Sequence, residues 1–70
     1  MERYPVQSST VSTVGYTVAS SMLEIAFLNG TIYEYYDVPR HVFDALRTAS
    51  SVGRYLNAYV VKAGYRYRRI

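Results

Sequence analysis

This sequence predicts an α+β domain, in which a three-stranded antiparallel meander is followed by two short helices packed on one face. Three observations carry that reading. Apolar residues alternate with polar ones from Val11 to Tyr36, the period of half-buried strands. After Asp37 the period becomes helical. The chain has seventy residues and no cysteine, so one small core must hold it together without disulfides. A chain of this size buries only about 60% of its unfolded surface. Residues 1–70 are therefore read as a single domain.

The first ten residues are polar, contain Pro5 and are expected to lead in without regular structure. Val11-Ser12-Thr13-Val14-Gly15-Tyr16-Thr17-Val18 is rich in β-branched residues and reads as the first strand. Ala19-Ser20-Ser21 supplies turn chemistry. Met22 to Phe27 forms the second strand, with Leu23, Ile25 and Phe27 on one face. Thr31 to Tyr36 forms the third.

The turn between them sets the register. A two-residue type I′ turn at Asn29-Gly30 pairs Ile25 with Glu34, placing a carboxylate on the apolar face. A three-residue loop, Leu28-Asn29-Gly30, puts Gly30 in the left-handed conformation as a glycine bulge. It pairs Phe27 with Thr31, Ile25 with Tyr33 and Leu23 with Tyr35, and places Glu24, Glu34 and Tyr36 opposite. A slip of one residue turns every side chain over, so the hydrophobic pattern selects the bulged loop. Tyr33 and Tyr35 are then core residues, and Tyr36 is a surface residue.

Pro39 suits a first helical turn. Val42, Phe43, Leu46 and Ala49 make the apolar stripe of a helix of about three turns. Ser50-Ser51 interrupts it and offers a new N-cap. Val52, Tyr55, Leu56, Tyr59 and Val60 follow at helical spacing, giving a second helix whose Tyr55 and Tyr59 face the core. Gly64 closes it. Tyr65 to Ile70 reads as extended, either an added edge strand or a free tail.

Charge is segregated. Residues 1–44 carry Arg3 and Arg40 against Glu2, Glu24, Glu34, Asp37 and Asp44, a net of −3. Residues 45–70 carry Arg47, Arg54, Lys62, Arg66, Arg68 and Arg69 with no acid, a net of +6. A basic end on a near-neutral body is the electrostatic pattern of polyanion contact, or of a solvated terminus. One histidine and no cysteine leave no multi-histidine or thiolate metal site, so no metal or cofactor is expected. No apolar run reaches the ~20 residues of a membrane span, and Met1 to Pro5 does not resemble a signal peptide; a cytoplasmic protein without membrane contact is expected.

Enzymatic readings find little support. Asp37 and His41, four apart at a helix start, lack a companion nucleophile and read as a capping and surface pair. Gly15 and Gly30 do not form a phosphate loop. Ala49-Ser50-Ser51-Val52-Gly53 reads as a tight corner between helices, with Arg54 beside it. No catalytic residue is assigned, and the chain is expected not to be an enzyme.

Several short motifs together resemble a known family. They are Ser8-Ser9, Gly15-Tyr16, Leu23-x-Ile25-x-Phe27, Gly30-x-x-Tyr33-x-Tyr35-x-x-Val38-Pro39, and Ala49-Ser50-x-x-Gly53-Arg54-Tyr55-Leu56-Asn57 followed by Tyr65. In this combination the chain, from about Val6 to Arg68, resembles the KTSC domain family, a small bacterial and phage domain of unknown function. The family is named for its occurrence at the C-terminus of some lysyl-tRNA synthetases. The resemblance implies RNA as a ligand, and the chain is expected to stand alone, without a synthetase domain.

The functional expectation is an RNA- or nucleic-acid-binding module using the basic, tyrosine-containing C-terminal third. Arg54, Lys62, Arg66, Arg68 and Arg69 would contact phosphate, and Tyr65 and Tyr67 would stack bases. The alternative is a protein-interaction module, a homodimer or one docking on a partner, since an exposed edge strand invites strand addition.

Overall fold

The computed structural model describes residues 1–70. Its sheet grows outward from the hairpin that the register argument selects. Leu23 pairs with Tyr35, Glu24 with Glu34 and Ile25 with Tyr33. The Phe27 amide donates to the Thr31 carbonyl at 2.8 Å, and Gly30 has φ of 91°. Asn29 Oδ1 accepts from the Thr31 amide at 3.0 Å and fixes the loop from within.

The sheet has five strands rather than three: β1 (Arg3–Pro5), β2 (Val11–Thr17), β3 (Met22–Phe27), β4 (Ile32–Tyr35) and β5 (Tyr67–Arg69). All pair antiparallel in the order β1-β2-β3-β4-β5. The two additional strands are the edges, each of three residues. β1 corrects the expectation of an irregular lead-in. Its local sequence is weakly strand-forming, but Tyr4 lies over Phe43 with ring centroids 6.0 Å apart and Arg3 pairs with Glu24. Tertiary contacts hold it in place. β5 settles the tail as an edge strand, closed by the Ile70 amide on the Ile32 carbonyl at 2.8 Å.

One helix, α1, spans Arg40–Thr48 and buries Val42, Phe43 and Leu46. Pro39 lies just outside it as the N-cap, with extended ψ of 144°, rather than in its first turn. A second, α2, spans Val52–Leu56 and starts at Ser51, whose side chain accepts from the Arg54 amide at 3.4 Å. The chain then continues through a π-helical turn, Asn57–Val61, marked by the Lys62 amide on the Asn57 carbonyl five residues back at 3.0 Å.

This turn corrects one core assignment. One extra residue in the turn moves the helical phase, so Val60 is fully buried while Tyr59 is 58% exposed. Tyr59 lies outside against Tyr55, ring centroids 4.5 Å apart.

Both helices cover the face that carries Val14, Leu23, Ile25 and Tyr35, and there the buried core lies. Tyr16 stacks on Phe43 at 5.2 Å and its hydroxyl donates to the Val38 carbonyl. The opposite face has no helix. Across it the register lines up Arg3, Gly15, Glu24, Glu34 and Arg68, one from each strand. Arg3 pairs with Glu24, and Arg68 reaches Glu34 at 3.4 Å. Glu24 is only 7% exposed although no helix lies above it. Gly15 leaves the gap that β1 needs: a Cβ there would lie 2.8 Å from Met1 Sδ and 2.9 Å from the Glu2 carbonyl oxygen.

Candidate nucleic-acid interface

β4 and β5 place three tyrosines side by side. Tyr67 is opposite Tyr35, and Arg69 is opposite Tyr33, so the Tyr67 ring lies on the helix side of the sheet. The ring centroids of Tyr67 are 5.8 Å from those of both Tyr33 and Tyr35. Phe27 meets Tyr33 edge-on at 5.8 Å. Together with Val61 from the π-turn, these four rings line an apolar slot of about 280 Å³. Tyr35 forms its floor, 6% exposed, and Tyr33 is half-buried; the core assignment holds fully for the first and partly for the second. Tyr67 forms an outer wall at 64% exposure. Burial, reinforced by the neighbouring Tyr33 and Tyr67 phenols, raises the Tyr35 pKa above the usual phenol value. Its hydroxyl is neutral at any physiological pH.

The slot continues into a groove between α2 and the β3–β4 loop. Phe27 and Val61 line both, and beyond them the groove runs past Leu56 and Asn57 to Gly53, Ser9 and Thr10. There it opens into a polar cleft of about 530 Å³ between the Gln7–Thr10 loop and the Ser50–Arg54 corner. The Ser8 hydroxyl accepts from the Thr10 and Val11 amides at 3.2 and 3.1 Å, turning this loop into β2. Ser8-Ser9 and Ser50-Ser51, far apart in the sequence, thus meet across one cleft.

The predicted cations separate into two groups. Arg66 lies 3.6 Å from Asp37, and Arg68 is drawn by Glu34 to the helix-free side of the sheet. Asp37 therefore faces Arg66 rather than His41, and it stands outside α1. Arg54, Lys62 and Arg69 have no carboxylate within ion-pair distance, and neither has Arg47, which lies 3.9 Å over the Tyr4 ring. Lys62 follows Val61 at the slot, Arg69 is opposite Tyr33, and Arg54 lines the polar cleft.

The tyrosines separate too. Tyr65 packs against the core while Tyr67 stays open, so the structure brings one of the two predicted stacking rings to an accessible surface. Tyr36, expected at the surface, is half-buried, with its hydroxyl on Glu34 at 3.1 Å and the Arg66 guanidinium 5.7 Å from its ring. Sequence reasoning did not connect Phe27 and Val61 with Tyr67. The first is a strand residue forty positions away, and the second reaches the slot only through the π-turn.

Comparison with known proteins assigns the architecture to a family. A crystal structure of a KTSC domain protein from Yersinia pestis superposes with a TM-score of 0.87 at 36% identity, covering 99% of this chain and 96% of that one. A protein of Tsukamurella paurometabola is 44% identical over 62 residues, 89% of this chain and 91% of that protein. One from Stutzerimonas stutzeri is 40% identical over 70 residues, 100% of this chain and 99% of its own. The model of the KTSC domain matches residues 7–67, and the chain belongs to the KTSC domain family.

Proposed function

We propose that the protein is a nucleic-acid-binding module, acting on RNA, that uses its C-terminal third as the contact surface. One observation carries this reading: every arginine or lysine side chain without a carboxylate partner lies in residues 45–70. The acids of the N-terminal part are mostly paired within the fold: Glu24, Glu34, Asp37 and Asp44 each have an arginine partner, and Glu2 accepts from the Tyr4 hydroxyl. What remains is a set of free positive groups: Arg54 lines the polar cleft, Lys62 follows the slot residue Val61 in the chain, and Arg69 is opposite the slot residue Tyr33 in the sheet. Phosphate neutralised by such groups releases counterions, so affinity falls as salt rises.

Arg66 and Arg68 contribute less than their place in the sequence implies, because a phosphate must compete there with a carboxylate. No helix of the fold is long and apolar enough to cross a membrane. Binding of a mixed-sequence single-stranded RNA, followed by fluorescence anisotropy across a salt series, tests the reading. The logarithm of affinity is expected to fall linearly with the logarithm of salt. Replacing Arg54, Lys62 and Arg69 together by glutamine is expected to reduce the steepness by about two to three counterions. Affinity independent of salt would overturn the proposal.

A further inference from the structure

The geometry points to the slot at Tyr67 as a site for one unpaired nucleobase; this deepens the nucleic-acid reading and rests on it. The walls are apolar and mostly aromatic: Phe27, Tyr33, Tyr35, Val61 and Tyr67. A volume of about 280 Å³ falls just below the ~300 Å³ at which sites for drug-sized ligands begin. It admits a single planar group. The rings of Tyr33 and Tyr67 stand 71° apart, so they form two sides of a corner rather than a closed stack. A flat ring entering that corner meets the face of one tyrosine and the edge of the other.

The surrounding charge selects which planar group that is. Lys62 follows Val61 in the chain, Arg69 is opposite Tyr33 in the sheet register, and neither has an acidic partner. An aromatic ring carrying an anionic phosphate complements an apolar slot with a cationic rim, and a nucleotide has both parts. The base must be unpaired, because a base within a duplex presents no free face to a corner of this depth. The π-turn belongs to the same arrangement. It places Val61, 50% exposed, against the slot, where a regular helical turn would place the chain in another phase.

Three ligands matched in total phosphate count separate the outcomes: a short single-stranded oligouridylate, its abasic counterpart, and a duplex of half the length containing the same sequence. The intact oligouridylate is expected to bind roughly tenfold more tightly than the abasic strand, the order of one stacked base. Tyr67→Ala is expected to lower its affinity to the abasic level and to leave abasic binding unchanged, while Tyr67→Phe retains the difference. Amide shifts on binding should include Phe27, Tyr33, Val61 and Tyr67. Equal affinity for intact and abasic strands, with no effect of Tyr67→Ala, overturns the base slot and leaves the phosphate surface standing. Tighter binding of the duplex than of the single strand also overturns it. No affinity for any of the three overturns both readings.

Discussion

Tyr35 sits where the core meets the slot, 6% exposed, with Leu23 opposite it in β3 and Tyr67 opposite it in β5. Its position explains why a tyrosine rather than a phenylalanine has a consequence measurable in solution. Burial is the main cause of its raised pKa, followed by the neighbouring phenols Tyr33 and Tyr67. In the unfolded chain a tyrosine ionises near pH 10. The folded chain holds the Tyr35 proton to higher pH, so the unfolded state loses protons first as pH rises. The corresponding stability is therefore complete below about pH 10 and falls away above it. Urea melts on either side of that pH are expected to show an alkaline decline that is shallower in Tyr35→Phe. Some decline should remain in the variant, because the Tyr4 pKa is raised too, chiefly through its hydrogen bond to Glu2.

At the level of elements, what a sequence reveals depends on whether an element is held by its own residues. The β3–β4 hairpin is held locally. Its loop length, the glycine at position 30 and the apolar alternation agree on one register, and that register is the one observed. Nothing lies within 4 Å of a Cβ built on Gly30, so only backbone conformation opposes a side chain there. Gly30→Ala is expected to destabilise the protein by roughly 1–2 kcal/mol in chemical denaturation, the magnitude of a left-handed residue that carries a Cβ. Gly30→Asn should lose less, since asparagine tolerates that region. β1 and the π-turn are of the other kind. Three residues including a proline have no pattern of their own, and the strand at Arg3–Pro5 exists because Phe43 and Glu24 receive it. The stripe Val52, Tyr55, Leu56, Tyr59 and Val60 satisfies regular helical spacing, so nothing in it marks the π-turn that turns Tyr59 outward. The slot depends on both kinds: the hairpin supplies Phe27, Tyr33 and Tyr35, and the π-turn supplies Val61.

Across the whole molecule, the helix-free face is organised by a single row of charges, Arg3, Glu24, Glu34 and Arg68, one from each strand except the one that contributes Gly15. Two carboxylates stand directly opposite each other at its centre, an arrangement unfavourable by itself. The arginines come from the edge strands, so the charges that relieve the pair also fasten both ends of the chain to the sheet. The family match, residues 7–67, contains the glutamates; Arg3 and Arg68 fall outside it. In the sequence, Arg68 belongs to a basic tail; in the fold, it belongs to Glu34, 34 residues earlier. Exchanging the charges separates these two roles. Glu34→Arg combined with Arg68→Glu leaves net charge unchanged and makes the row alternate in sign, which removes the repulsion between Glu24 and Glu34. The double variant is expected to melt at a higher temperature than either single variant, because each single change leaves three like charges in the row or an unrelieved glutamate pair. Its affinity for single-stranded RNA should remain within about twofold of the parent, whereas Lys62→Gln and Arg69→Gln each weaken it, as expected for groups that meet phosphate directly. A marked loss of RNA affinity in a stably folded exchange variant would return Arg68 to the binding surface, and with it the helix-free face.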